Sequence, residues 1–293
     1  MHVLVYGRQF KEKDQPYIQE LFDSLSEAEA EIHVYTPYFE EIKKHIHFKT
    51  ACTVFDSYKD FSTRRIDFAV VLGGDGTMLS GVTLVRDSGV PMLGINLGRM
   101  GFLATTDKQQ VRDAIDKLVN NRFVIIERVM LYMESNPPLF GEMPYALNDC
   151  TLLKRDTSSM ITIHTYLNGD YLNSYWADGL IIATPTGSTG YSLSCGGPVV
   201  FPGSGNFVIT PVAPHNLNVR PIVISDESVI SFEIEGRAEN FICSLDSRFE
   251  LINAHHQIAL RKNDFKTRLV QLQDVTFLNT IREKLGWGED VRN

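Results

Sequence analysis

Basic residues are the scarcer charge in this chain: 28 Lys+Arg stand against 36 Asp+Glu, for a formal net charge of −8. Nonspecific nucleic-acid binding needs a positive field, so that class of function is set aside. Small anionic ligands are not excluded, because loop N–H groups and a metal ion bind phosphate locally. Cysteine is sparse as well. Cys52, Cys150, Cys195 and Cys243 include no Cys-x-x-Cys pair, and no His stands at finger spacing. A structural zinc site is therefore not expected, no residue is assigned as a metal ligand, and the four read as free thiols in a reducing compartment. Long apolar runs are missing too. No Asp, Glu, Lys or Arg occurs between Asp178 and Arg220, but Gly, Pro, Ser and Thr break that stretch too often for a membrane span. Met1–Gly7 is too short and unflanked for a signal peptide and reads as a first strand, so no membrane partner and a cytoplasmic location are expected.

What is present is enough apolar residue for a real core. Of 293 residues, 43% are hydrophobic, and a chain of this size buries about 75% of its unfolded surface, as one large domain or two ordinary ones. The first 125 residues alternate between strand and helix periods: strands at Val3–Tyr6, Ile32–Tyr35, Ile66–Leu72 and Pro91–Ile95, with helices between them. Asp14 is placed to cap a helix with Tyr17, Leu21, Leu25 and Ala28 on one face, and a helix is expected near Phe39–Ile46. A further helix runs from about Thr77 to Asp87. Asp107 is placed to cap another with Val111, Ile115, Leu118 and Val119 inward. This is the βαβ pattern of a parallel, Rossmann-like sheet. From residue 126 to 275 the texture changes to short strands at near-regular spacing, beginning with Phe123–Glu134, Tyr145–Leu153 and Met160–Leu167 and ending with Arg268–Leu272. Asn168-Gly169 is a strong hairpin signal. An antiparallel β-sandwich is expected there, followed by a C-terminal helix over residues 276–293 beginning at Thr276–Leu285.

Gly73-Gly74-Asp75-Gly76-Thr77 follows a buried strand and opens a helix. Ligands of open α/β sheets bind at such carboxyl ends. Glycines admit a phosphate close to the backbone, and the helix N-terminus points N–H groups at it. Asp75 is out of place beside a polyphosphate unless it holds a divalent ion or takes a proton from an attacking hydroxyl; a helix N-cap in a tight turn is the structural alternative. The loop is neither the dinucleotide fingerprint nor a P-loop, since Gly-x-Gly-x-x-Gly and Gly-Lys-Ser/Thr are both absent. It resembles the loop of a kinase superfamily that includes phosphofructokinases, NAD kinases and diacylglycerol and sphingoid lipid kinases. Gly94-Ile95-Asn96 and Gly101-Phe102-Leu103 narrow the resemblance toward NAD kinases.

Two further segments bear on the acceptor. Asn148-Asp149 offers an amide and a carboxylate side by side, suited to a purine edge and to vicinal ribose hydroxyls, although a solvated turn has the same composition. Asp178-Gly179-Leu180-Ile181-Ile182-Ala183-Thr184-Pro185-Thr186-Gly187-Ser188-Thr189-Gly190-Tyr191-Ser192-Leu193-Ser194 runs from a buried strand into a long uncharged polar loop with one aromatic, which could stack on a base. This segment closely resembles the signature of NAD kinases, which transfer a phosphoryl group to the 2′-hydroxyl of the adenosine ribose of NAD. Gly196-Gly197-Pro198, Pro214-His215-Asn216-Leu217 and Arg220-Pro221 extend the match, so that it covers most of the chain from Ile66 to Arg248.

The resemblance implies an α/β N-terminal domain and an all-β C-terminal sandwich with NAD between them, a homo-oligomer (dimer or tetramer), and ATP, or in some members polyphosphate, used with Mg²⁺ or Mn²⁺. Residue by residue, it makes Asp75 the general base with Gly76 beside it, Asn148 and Asp149 the holders of adenosine, and Asp178, Thr189, Gly190, Tyr191, Ser192, Leu193, Ser194 and Ala213 further nucleotide contacts. Three positions depart from the family pattern. Gly190 stands where Ala is common, Trp176 where a basic or small residue is common, and Asp246-Ser247-Arg248 where Asp-x-Gln is common. Trp176 and Arg248 are carried as contacts to the distal part of the dinucleotide, and Ser159 through an alignment that depends on loop length. A lipid kinase of the same superfamily would need an apolar acceptor channel, against which the Thr/Ser loop argues. A silent NAD-binding sensor would gain nothing from Asp75.

Overall fold

The computed structural model describes residues 1–99, 101–155, 160–237, 239–273 and 276–286; Ser159 and the expected helix beyond residue 286 lie outside the described residues. The chain divides into two units, Met1–Glu127 with Thr267–Asn293, and Arg128–Lys266.

In the first unit the strands lie in the order Cys52–Phe55, Glu31–Tyr35, His2–Gly7, Phe68–Leu72, Met92–Asn96, Thr267–Leu272, Phe123–Arg128, with Thr106–Asp107 beside Met92–Asn96. The first five pair in parallel. Val3, Leu4 and Val5 are all buried, as are Val70 and Val71, because helices cover both faces of a parallel sheet. On one face the helices Gln15–Glu27 and Val111–Val119 bring Ile18, Leu21 and Leu25 together with Val111, Ala114, Ile115 and Leu118.

Several expectations are corrected here. Val119 is 43% exposed; Ala114 takes the inward place, completing the i, i+3, i+4, i+7 stripe that starts at Val111. Asp14 precedes its helix without a side-chain cap and instead lies buried, with Lys108 Nζ 3.5 Å from its Oδ1. Asp107 accepts the Gln109 N–H at 2.8 Å and so caps a short 3-10 turn ahead of the α-helix. The helix expected near Phe39–Ile46 runs Thr36–Ile42, and Cys52–Phe55 is a strand where none was expected. The stretch Phe123–Glu134 is two strands, Phe123–Arg128 and Leu131–Asn136, belonging to different sheets. Thr267–Leu272, expected in the sandwich, pairs in parallel with Met92–Asn96.

The second unit holds two six-stranded sheets. One runs Ile222–Ser225, Asn206–Val212, Gly179–Ala183, Asp149–Lys154, Phe241–Leu245, Arg248–Ile252; the other runs Asp170–Ala177, Ile161–Leu167, Ile230–Glu235, Gln257–Lys262, Leu131–Asn136, Tyr145–Ala146. All these neighbours pair antiparallel. Leu152, Leu180, Ile182, Ile209 and Cys243 of one sheet pack with Ile161, Ile163, Phe232, Ile258 and Leu260 of the other in one core. Alternation puts Ile181, Ala183 and Val208 on the opposite face of the first sheet, where they pack with Val200. The long uncharged loop after Ala183 is thus laid over an apolar surface. Asn168 and Gly169, at φ +54° and +89°, form the expected hairpin turn between Leu167 and Asp170.

Candidate functional site

In the first unit, Gly73-Gly74 leaves the carboxyl end of Phe68–Leu72 and Asp75 begins the helix Asp75–Val85. Gly73 has φ +150°, and a Cβ there would lie 2.3 Å from Thr77 Oγ1, so only glycine makes this turn. Gly74 and Gly76 face open space. Before them lies a cleft of about 430 Å³ whose lining includes Arg8, Lys11, Lys13, Asn96 and Arg99 along with the glycines and Thr77. Four cations around a glycine turn at a helix N-terminus suit a polyphosphate.

Asp75 does not cap its own helix. Its Oδ2 accepts the N–H of Phe102 at 2.8 Å, and its Oδ1 accepts those of Leu103 and Ala104 at 3.0 Å each. The Gly101-Phe102-Leu103 segment is therefore a cradle for this carboxylate, which fixes its orientation at the mouth of the glycine loop.

In the second unit Asn148 and Asp149 sit where Tyr145–Ala146 ends and Asp149–Lys154 begins. The break that divides the expected strand Tyr145–Leu153 has a cause. The N–H groups of Leu147, Asn148 and Asp149 all turn to the carboxylate of Asp246, at 2.9, 2.7 and 3.2 Å. Asp246 holds φ +54°. Burial raises its pKa, while the three N–H donors and the Arg248 guanidinium pull the other way. Asp149 has no such donors. Burial, and then the charge of Asp246, push its pKa from 3.8 to about 7. Both carboxyls are thus raised, and only that of Asp246 is offset by hydrogen bonds from backbone N–H groups. Asn148 Oδ1 is buried and has no hydrogen-bond partner among the described residues, which leaves an acceptor available at this position.

The polar loop packs directly on this pair. Thr184 N–H donates to Asn148 O at 2.8 Å, and Thr184 Oγ1 donates to Leu147 O at 2.6 Å. A Cβ on Gly187 would lie 2.0 Å from Asn148 O, whereas one on Gly190 would meet Asp149 Oδ2 at 3.9 Å and Asn148 Nδ2 at 4.0 Å. The methyl group that Gly190 lacks thus belongs beside both polar side chains. Thr189 turns its hydroxyl to Thr186 O at 3.2 Å. Tyr191 leaves its ring exposed, with Leu193 half-buried and Ser194 exposed beside it, while Ser192 is buried against Thr210 Oγ1 at 2.8 Å.

Asp178 pairs with Lys154 at 2.5 Å, and its N–H donates to Val212 O, next to exposed Ala213. Ala213 has φ +43° immediately before Pro214, a strained conformation for a residue with a side chain. Trp176, on the edge strand Asp170–Ala177, is 45% exposed and so is no core residue; its ring lies 4.2 Å from that of His215. The Arg248 guanidinium, expected as a contact to the distal part of the dinucleotide, donates to the carbonyls of Met143, at 2.5 Å, and Tyr145. Sequence reasoning missed Asp246 and Thr184 as organisers of the pair. The available signal was Asp246-Ser247, a tight turn with its acid first.

Residues 4–123 match the family model described as ATP-NAD kinase N-terminal domain, and residues 147–272 that of the ATP-NAD kinase C-terminal domain. An NAD kinase of Cytophaga hutchinsonii is 45% identical over 290 residues, 99% of each chain. One of Flavobacterium psychrophilum is 41% identical over 295 residues, the whole of both. Among solved structures, yeast NADH kinase complexed with NADH superposes with a TM-score of 0.87 at 24% identity, over 99% of this chain and 89% of that one. An NAD kinase from Archaeoglobus fulgidus in complex with ATP gives 0.72 at 24% identity, over 98% of each; these two likenesses establish the fold. With relatives above 40% identity along its whole length, the chain belongs to the NAD kinase family.

Proposed function

We propose that the chain transfers the terminal phosphoryl group of ATP to the 2′-hydroxyl of the adenosine ribose of NAD, giving NADP and ADP, with Asp75 as general base. The observation that carries this reading is the Asp75 carboxylate, fixed by three backbone N–H groups beside a glycine turn and a cation-lined cleft. A ribose hydroxyl is a poor nucleophile at neutral pH, and a positioned carboxylate removes its proton as the bond to phosphorus forms. A carboxylate has about four lone-pair sites; three are taken by the cradle, which leaves one for the hydroxyl. Arg8, Lys11, Lys13 and Arg99 hold the donor phosphates, and the helix N-terminus adds to their field. One acid beside phosphates fits a divalent ion that arrives with ATP, Mg²⁺ or Mn²⁺, rather than one caged by the protein. Bound there, it would neutralise phosphate charge.

In the second unit Asn148 and Asp149 hold the adenosine, and Asp246 positions them both. Tyr191 offers its face to a ring, and Asp178, Gly190 and Ala213 line the nucleotide contacts. Trp176 is read as a stacking face for the nicotinamide end. Arg248 is read as a positioning residue for Asp246, since two of its five N–H donors are engaged within the unit. One observation favours a second reading of the base. Asp149, with a pKa near 7, is also tuned for proton transfer at neutral pH; replacing each acid in turn separates the two. A homo-oligomer is supported by Phe249, 68% exposed, with Leu251 on the same edge strand and Val223 on the opposite edge. Among the described residues no helix is long and apolar enough to cross a membrane.

Incubation with NAD, ATP and Mg²⁺ tests the activity: NADP must form. Turnover of a lipid alcohol in its place, or NAD binding without NADP, would overturn the reading.

A further inference from the structure

The parallel pairing of His2–Gly7 with Glu31–Tyr35 sets His2 opposite Glu31 and Leu4 opposite His33. Residues two apart on a strand share a face. Glu31 and His33 are therefore on one side of the sheet, with His2 beside Glu31 on that side. Ligand atoms of all three side chains lie within 4.8 Å of one another. His2 Nδ1 is 3.1 Å from Glu31 Oε2, and the His2 and His33 rings stack with centroids 6.1 Å apart and planes 19° apart.

His33 is only 4% exposed. Its Nδ1 is 2.6 Å from Thr53 Oγ1, a residue opposite it on the next strand. When Nδ1 donates to that hydroxyl, Nε2 carries the lone pair, and Nε2 is buried with no partner among the described residues. A buried polar nitrogen left unmatched is costly. A metal-bound imidazole typically has this arrangement, with one nitrogen held by a hydrogen bond and the other free to coordinate.

We propose that His2, Glu31 and His33 bind one divalent ion of the zinc class. Two imidazoles and a carboxylate suit Zn²⁺ and its neighbours, whereas Mg²⁺ and Ca²⁺ prefer all-oxygen sets. Bonds of about 2.0–2.1 Å in a tetrahedral site put ligand atoms roughly 3.3 Å apart. The His2–Glu31 separation already meets this, and those two side chains, both solvent-accessible, close on the fixed His33. Water completes the coordination. Asp67 is engaged nearby: it accepts the His2 N–H at 2.8 Å and pairs with Arg65 at 2.9 Å.

The ligands stand at the beginnings of parallel strands, while the glycine loop leaves the end of Phe68–Leu72. The ion therefore sits toward the amino-terminal ends of these strands, away from Asp75, and clips the two strands together; it takes no part in phosphoryl transfer. No sequence motif announces it, because His2 is brought to Glu31 and His33 by strand pairing.

The test is a titration of metal-free full-length protein with Zn²⁺, in excess Mg²⁺ and without nucleotide, followed by calorimetry and thermal melting. Wild type and the surface control His255→Gln should each take up one Zn²⁺ per chain. Their melting temperature should rise by roughly 5 °C at about 100 times Kd. His2→Gln and His33→Gln should each weaken uptake at least about ten-fold. Should His33→Gln fail to fold without metal, His2→Gln and Glu31→Gln carry the same comparison at accessible positions. Co²⁺ in place of Zn²⁺ should give a visible spectrum without thiolate charge transfer. NADP formation by His2→Gln should match wild type. No saturable uptake of one ion by wild type, uptake unchanged in the His2 and Glu31 variants, or a thiolate band would overturn the proposal.

Discussion

The Cβ that Gly101 lacks would lie 1.8 Å from Oδ1 of Asp75. Glycine at 101 is what lets the backbone from Gly101 to Ala104 close around the carboxylate and present three N–H groups to it. Gly101→Ala must displace either the acid or its cradle. A misplacement near 1 Å costs on the order of 10²-fold in rate, so kcat should fall about 10–100-fold with KM for NAD little changed. In an Asp75→Asn background the same substitution should add less than about three-fold, because the two act through one contact. Steady-state kinetics of the four proteins in this cycle check it; fully additive losses would separate Gly101 from Asp75.

If Asn148 and Asp149 hold the adenosine, truncating either to Ala removes hydrogen bonds worth about 1–3 kcal/mol. KM for NAD should rise roughly 5–150-fold, and that for ATP far less. An equal rise for both substrates would place the pair elsewhere.

Asp149 also makes stability depend on pH. Its folded pKa, about 7, is above the ordinary 3.8, so the folded state favours the protonated form. That contribution is complete below about pH 4 and is lost as pH rises through 7. Each pKa unit is about 1.4 kcal/mol, so at most about 4 kcal/mol is involved. Asp149→Asn cannot ionise. The excess of its melting temperature over wild type should grow from pH 5 to pH 8, while KM for NAD rises. An excess that does not grow over that range would contradict the burial argument.

The parts of this site legible in the sequence were those written in contiguous residues. The turn at Gly73, the acid at 75, the Asn148-Asp149 pair and the loop from Thr184 to Ser194 are runs whose composition alone implies close backbone approach. The supports were not legible, because they come from distant chain. Asp246 reaches Leu147, Asn148 and Asp149 across a strand pairing that no local pattern encodes. Thr267–Leu272 shows the same limit for the fold. Its apolar alternation reads as a strand, but nothing local says that it joins Met92–Asn96 rather than its immediate predecessors. Arg248 was read as a contact to the distal part of the dinucleotide; its bonds to the carbonyls of Met143 and Tyr145, over a hundred positions earlier, were not legible.

Asp246→Asn should destabilise the second unit by about 1–3 kcal/mol, since an amide oxygen cannot serve three N–H donors as a carboxylate does. KM for NAD should rise in step. Arg248→Ala should shift both in the same direction by less. Thermal melts paired with kinetics check this; an unchanged melting temperature in Asp246→Asn would show that the turn holds without it.

Trp176 presents an exposed ring. If it stacks on the cationic nicotinamide, NAD is preferred over NADH by a cation–π contribution of about 0.5–2 kcal/mol. Trp176→Ala should narrow the NAD:NADH ratio of kcat/KM, while an unchanged ratio with a lowered melting temperature would make Trp176 a packing residue.

The most direct test of phosphoryl transfer through Asp75 is the rate of NADP formation by Asp75→Asn at saturating NAD, ATP and Mg²⁺, with Kd for NAD measured on the same protein. Loss of the base should lower kcat by roughly 10²–10⁴ while Kd stays within a few-fold of wild type. Near-normal turnover in that variant would remove Asp75 as the base and leave Asp149 to take the proton.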